Sequence, residues 1–377
     1  MKKNILFYLP ALSIYEDRIK TISEVQTSKI YFVFNINDNN EIVNKLKSKG
    51  HSALFISEII PIKFLRIILQ PFLILLFSVY YNCEIIHLTS YVVNPLVAYL
   101  FCKIFNKKYF VSLYILYSSR FKLFSKFSFK EKIKSKQIQK MYLYAIHEYL
   151  LLPCVDKLIM QASGLANELP FYSRFKEKVY IIKNGISKTN IKWHPRKVNL
   201  TNQNIKILFI GGIDYTRGVD KLIHAVTKLN NNGYKIKLNL VGNIGDYFSS
   251  FLETVNFKNI KIHKKKKRNE LFNFVLEHDI FVYPTLNEGS PRIILELASI
   301  GIPIIASKHP GILEIDKYKR FINFINENEN IEFMIEKFLS DQEKFFKKAF
   351  YGREYVKENN SYYKIAKNYE SHYAEKR

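Results

Sequence analysis

Residues 280–307 read IFVYPTLNEGSPRIILELASIGIPIIAS, and their order decides the fold. Ile280 to Tyr283 is a short apolar, β-rich run. Pro284, Gly289 and Pro291 then punctuate a turn. Pro291 to Ile300 carries the apolar spacing of a helix, and Pro303 to Ala306 is a second apolar strand. Neither strand alternates with polar residues, so both should be buried on two faces, as in a parallel sheet covered by helices. The turn lies at the carboxyl end of the first strand, where the N–H groups of the helix start favour anions and hydroxyl oxygens. Glu288 precedes that helix and Glu296 lies about a turn and a half inside it. Both carboxylates can face one crevice and accept hydrogen bonds from sugar hydroxyls. A glutamate near a helix start also serves as a simple cap, so spacing alone does not settle their role.

Working outward, apolar runs of strand length recur at Ile30 to Phe34, Glu84 to Leu88, Tyr109 to Leu113, Lys157 to Met160 and Val179 to Ile182. They return at Lys206 to Ile210 and Lys237 to Val241, with helical patterns between them, such as Val219 to Leu229 and Arg268 to Glu277. Strand and helix alternating twice over predicts two doubly wound α/β domains. The boundary is expected after Ile182, because Ser187 to Asn204 turns polar before a new strand opens at Lys206. This divides the chain into 1–182, 183–358 and a final stretch 359–377. Two such domains on one linker imply a cleft, with ligands at the carboxyl ends of the strands.

Composition narrows the partners. The 377 residues include 58 Lys and Arg against 33 Asp and Glu, a net charge of +25. That excess predicts an anionic partner: nucleic acid, a lipid surface or a phosphate-bearing substrate. Cys83, Cys102 and Cys154 are few and far apart, which argues against a disulfide framework or a zinc site and suits buried free thiols in a reducing compartment. Met1-Lys2-Lys3 and the apolar residues after it imitate a signal peptide. Pro10 and Glu16-Asp17-Arg18 interrupt it, so Asn4 to Leu9 reads as a buried first strand. The most hydrophobic window, Ile59 to Tyr81, contains Pro61, Lys63, Arg66, Gln70 and Pro71. It reads as a buried or surface-lying helix rather than a span of ~20 apolar residues. Arg120 to Lys140 interleaves Lys and Arg with Phe121, Leu123, Phe124, Phe127, Phe129 and Ile133, the pattern of a segment that lies on anionic lipid. A solvated basic face has the same composition. Nucleic acid could use the charge too, but no recognition motif accompanies it, so none is expected.

The stretch from Glu288 to Glu296 resembles the E-x7-E signature of the retaining glycosyltransferases of GT-B fold, family 4 (glycosyltransferase group 1). Several neighbours extend the likeness: Gly301-Ile302-Pro303-Ile304-Ile305-Ala306-Ser307, Gly311 and Glu314, Phe209-Ile210-Gly211-Gly212 with Arg217-Gly218-Val219-Asp220, Leu240-Val241-Gly242, and Asn184-Gly185-Ile186. The resemblance covers the chain from about Val155 onward. It implies two Rossmann-like domains facing across a cleft and a C-terminal helix, Tyr362 to Tyr373, crossing back onto the first. It further implies an enzyme that moves a sugar from a nucleotide-diphosphate donor to a glycan or lipid-linked saccharide acceptor with retention, without metal or cofactor. The implied setting is bacterial surface polysaccharide synthesis, in the cytoplasm at the inner membrane face.

By the same resemblance Glu288 binds donor-sugar hydroxyls, Glu296 the ribose, and Arg217 the diphosphate. Gly211, Gly212, Gly242, Gly289 and Ser290 complete the donor cradle. The chain also departs from the family. Gly212 stands where many members carry arginine, and Pro291 removes an N–H that others offer. Leu9-Pro10-Ala11-Leu12-Ser13 replaces the glycine-rich loop after the first strand. Tyr114, on the acceptor side, stands where relatives carry a histidine facing the donor sugar. His87, at the end of the preceding strand, is a catalytic candidate beside Glu288 and Arg217 if it faces the cleft, and a packed strand-end histidine if it does not. An inactive scaffold of this fold and a basic nucleic-acid-binding protein remain the alternatives.

Overall fold

A computed structural model describes residues 2–11, 16–36, 39–89, 93–114, 136–187, 193–194, 205–245, 248–326 and 329–374. Leu12 and Ser13 lie outside these residues, as does the segment Arg120 to Lys140 apart from the backbone of residues 136–140. The chain folds as two compact units, residues 1–187 with 360–377, and residues 188–359. Helices of seven or more residues are numbered below.

The first unit holds a seven-stranded sheet in the order β3-β2-β1-β4-β5-β6-β7, every pairing parallel. Its strands are β1 (Lys3–Ala11), β2 (Ser28–Ile36), β3 (Ser52–Phe55), β4 (Ile85–Leu88), β5 (Lys108–Ser112), β6 (Lys157–Met160) and β7 (Val179–Ile181). Alternate β1 side chains feed two cores. Ile5, Phe7 and Leu9 pack with α1 (Glu16–Ile22), α2 (Asn40–Ser48) and the last helix of the chain, Tyr362–Ala374. Leu6 and Tyr8 pack instead with α3 (Lys63–Tyr80), α4 (Pro95–Ile104) and α5 (Lys136–Cys154). The last helix is tied down by buried Ile365, Ala366, Tyr369 and Tyr373, and Lys3 Nζ donates to Tyr373 O at 3.0 Å. β1 runs on through Pro10 because β4 pairs only as far as Tyr8, so the missing N–H breaks no rung on that side. Within the window Ile59 to Tyr81, Lys63–Tyr80 is a surface-lying helix whose Ile74, Leu75 and Ser78 are its buried side. All three cysteines are free and buried, and burial pushes the Cys83 and Cys102 thiols up to about 12.

The second unit holds a six-stranded parallel sheet in the order β10-β9-β8-β11-β12-β13. These are β8 (Ile205–Ile210), β9 (Ile236–Val241), β10 (Ile260–His263), β11 (Ile280–Tyr283), β12 (Ile304–Ser307) and β13 (Ile322–Ile325). Helices α6 (Val219–Asn231), α7 (Arg268–Val275), α8 (Arg292–Ile300), α9 (Ile331–Ser340) and α10 (Gln342–Asn359) complete the unit, and Tyr362–Ala374 in the first unit is α11. The sequence runs did not include β3, β10 and β13, which are four-residue strands at sheet edges. From β8 the chain moves one way across the sheet to β9 and β10, and from β11 the other way to β12 and β13. The loops after β8 and β11 therefore meet at the switch point, where such sheets hold ligands.

Candidate functional site

The loop after β8 is compressed against its neighbours. A Cβ added at Gly242, beyond β9, would meet Gly211 O at 1.7 Å, so the ends of β8 and β9 approach as only glycine permits. Asp214 then caps the short turn Tyr215–Arg217, its Oδ1 accepting from Arg217 N at 3.1 Å and Thr216 Oγ1 at 2.6 Å. Gly218 closes the turn at φ 66°, and a Cβ there would lie 2.2 Å from Pro284 O. Leu286 N donates to Thr216 O at 2.9 Å. The turn is thus locked onto the loop that follows β11.

That locking aims Arg217. Its Nη1 donates to Asn287 O at 2.9 Å and ion-pairs with Glu288 Oε2, while Tyr283 OH donates to the same carboxylate oxygen at 2.7 Å. Glu288 Oε1 accepts from Gly289 N at 3.1 Å. The two charged side chains are 19% and 12% exposed, so each depends on the other for its charge partner. Burial raises the pKa of Tyr283 despite the nearby Arg217, which keeps the hydroxyl a donor. From the far side the turn after β12 presses in: a Cβ at Gly311 would fall 1.5 Å from Gly289 O. His309 stands in this turn, its Nδ1 accepting from Gly311 N at 3.3 Å. Burial and then the charge of Arg217 pull its pKa down to about 4, so the ring is neutral near pH 7. The sequence reading missed His309, whose signal was only its place after a strand beside Gly311.

Glu296 lies on α8 and is paired separately. Arg268 Nη2, at the start of α7, donates to Glu296 Oε1 at 2.9 Å, with the side chains 31% and 13% exposed. Each glutamate of the pair therefore holds an arginine delivered by another strand–helix connection. Pro291, at the N-cap of α8, makes no side-chain cap, so neither glutamate spaced about it is a capping-box partner. Gly211, Gly212, Arg217, Gly242, Glu288, Gly289 and Ser290 fall on loops and turns that follow strands of this one sheet, and Glu296 lies inside α8.

His87 and Tyr114 belong to the first unit. His87 is fully buried, with Nδ1 2.7 Å from Tyr373 OH and Nε2 2.8 Å from Ser112 Oγ. Burial, with a smaller push from Arg18, lowers its pKa to about 3. Both ring nitrogens are spent inside the core, so the structure does not present His87 to a substrate. The Tyr114 ring lies under the guanidinium of Arg18 at 3.4 Å, and Arg18 Nη2 also donates to Asn184 Oδ1 at 3.0 Å. Among the described residues no group of three or more His, Cys, Asp or Glu could hold a metal ion.

The Arg217–Glu288 pair thus stands at the switch point of this sheet. Residues 191–358 match the glycosyl transferases group 1 family. The chain is 24% identical over 280 residues to an uncharacterized 41.2 kDa protein in the cps region of Klebsiella pneumoniae, covering 70% of this chain and 72% of that one. It is 23% identical over 217 residues to CapM, a capsular polysaccharide biosynthesis glycosyltransferase of Staphylococcus aureus, covering 54% and 57%. Among solved structures, Anabaena Alr3699/HepE in complex with UDP and glucose superposes with a TM-score of 0.69 at 12% identity, over 99% of both chains. The chain has the GT-B fold of two Rossmann-like parallel-sheet domains, its residues 191–358 match the glycosyl transferases group 1 family, and it is similar to glycosyltransferases of bacterial polysaccharide synthesis.

Proposed function

We propose that the protein transfers a sugar from a nucleotide-diphosphate donor, a UDP-sugar in the first instance, to a glycan or lipid-linked saccharide acceptor. The observation that carries this reading is the Arg217–Glu288 pair, which joins the loops after β8 and β11 at the switch point. Without donor, each group neutralises the other. A diphosphate arriving at the glycine-lined end of β8 competes for Arg217, and donor-sugar hydroxyls then donate to the released Glu288 carboxylate. As the glycosidic bond breaks, charge accumulates on the leaving diphosphate, and a preorganised guanidinium stabilises it more than it stabilises the ground state. Arg217 takes the part that a divalent cation plays elsewhere, in keeping with metal-independent transfer. Arg268 holds the Glu296 carboxylate in place to accept from the ribose hydroxyls.

Retention at the anomeric carbon and membership of family 4 follow from the E-x7-E resemblance of Glu288 and Glu296, and are part of the proposal. So is a peripheral place on the inner membrane face, which suits the net charge of +25 and a lipid-linked acceptor. The test is a panel of nucleotide sugars, scored by thermal stabilisation and then by release of nucleoside diphosphate. Stabilisation by one donor, with turnover lost in Glu288→Ala, is the expected result. Binding without turnover in the wild type would leave a scaffold. Steeply salt-dependent binding of polynucleotide with no response to nucleotide sugars would leave a nucleic-acid-binding protein.

A further inference from the structure

In a doubly wound domain the helices covering the sheet turn polar faces to water. Among the described residues, α3 and α4 of the first unit do not. α3 and α4 cover the same face of the sheet, α3 over β1 and β4 and α4 over β5, and their inner residues Ile74, Leu75, Ala98 and Cys102 share one core. Their outer residues are also apolar: Phe64 is 71% exposed, Phe72 58%, Leu76 55%, Leu100 52% and Ile104 76%. Neither helix contains an acidic residue, and the charges they do carry are Lys63, Arg66 and Lys103. Exposed apolar surface on this scale marks an interaction site. Tyr80, at the end of α3, is 81% exposed, an amphipathic ring of the kind that settles at lipid headgroups.

We infer that the outer face of α3 and α4 is a lipid-docking surface that seats the first unit on an anionic bilayer, its apolar side chains among the acyl chains and its cations among the headgroups. Charge complementarity selects this occupant. A second copy of the chain would bring the same cations against one another, whereas an anionic bilayer answers both the apolar face and the positive charge. α3 lies in the plane of the surface because its opposite side, with Gln70, Ile74, Leu75 and Ser78, is buried in the protein. The inference rests on the proposal that the enzyme works at a membrane and places the contact on these helices rather than on Arg120 to Lys140.

The test is sedimentation with vesicles of phosphatidylcholine, with and without phosphatidylglycerol. It compares wild type, the triple variant Phe64→Gln, Phe72→Gln, Leu100→Gln, and a variant with Lys130, Lys132, Lys134 and Lys136 changed to Gln. All three sites of the triple variant are exposed, so folding should survive, and UDP titration of each preparation checks the second unit separately. The wild type should favour the anionic vesicles, and the triple variant should partition at least about 100-fold less, while the lysine variant loses less. Trp193 is the only tryptophan and is buried, so a Phe72→Trp substitution adds a reporter whose emission should shift blue on vesicles and be quenched by brominated lipid. Equal partitioning of wild type and triple variant would overturn the inference. So would a wild type that self-associates in sedimentation velocity, becomes monomeric in the triple variant and ignores vesicles. Failure to bind UDP with vesicle binding still lost in the triple variant would instead sink the donor reading and leave the docking surface standing.

Discussion

Arg217 and Glu288 stand 71 positions apart in the chain and share an ion pair, with the Tyr283 hydroxyl on the same carboxylate oxygen. The pair is mostly sheltered from water, and no other cation is paired with Glu288 among the described residues. Either side chain removed alone leaves the other charge without its counterpart, a situation that typically costs more than the pair itself contributes. The site's chemistry and its local stability are therefore coupled.

Arg217→Ala should lower turnover by about 10²–10³-fold, the usual effect of removing one preorganised partner of a developing charge. Arg217→Lys should recover only part, since a point charge replaces a planar fork. Transfer rates at equal, verified foldedness measure this. A loss below about threefold in the alanine variant would place the diphosphate elsewhere, with the five consecutive cations Lys264 to Arg268, directly after β10, as the next candidate.

Glu296→Ala should weaken binding of the nucleoside diphosphate by about 1.5–3 kcal/mol, the range for hydrogen bonds to a charged group. Arg268→Ala should weaken it less, because the carboxylate remains and loses only the Arg268 hydrogen bond. Calorimetric titration of both variants reads the difference, and unchanged affinity in Glu296→Ala would remove that residue from the ribose.

Gly311→Ala should impair the site without touching its charges. The added Cβ would fall 1.5 Å from Gly289 O, so the peptide next to Glu288 must move. Donor binding should drop while circular dichroism still shows the α/β fold. A variant with wild-type donor affinity would show that the turn after β12 yields instead.

Acid should destabilise the first unit through His87. Its pKa is about 3 in the folded chain, against an ordinary value of 6.5. Above the ordinary value both states are neutral and the residue contributes no pH dependence. As the pH falls below it, the unfolded chain takes up a proton that the folded one refuses, and stability declines by about 1.36 kcal/mol per pH unit until the folded pKa is reached. Denaturant unfolding of wild type and His87→Gln between these limits should show slopes differing by about one proton. Parallel slopes would mean that His87 is protonated in the native state.

Much of this protein is legible in its sequence. Continuous apolar runs such as Ile280 to Tyr283 and Lys206 to Ile210 must be buried on both faces, and that alone specifies parallel sheets covered by helices. The glycines, Arg217, Glu288 and Glu296 are visible in the sequence because a turn at a strand end needs particular backbone conformations and because the stretch resembles a glycosyltransferase signature. Which charges meet is another matter. Arg217 reaches Glu288 only because β8 and β11 are neighbours, and Arg268 reaches Glu296 only because α7 starts beside α8. Both depend on strand order, which no local pattern encodes. His87 shows the same limit: its nitrogens are satisfied by Ser112 from β5 and by Tyr373, 286 residues away on the last helix. For α3 the sequence carries the hydrophobicity but not its orientation. Apolar residues lie on every side of the helix, and only the sheet beneath decided which were buried and which were left facing outward.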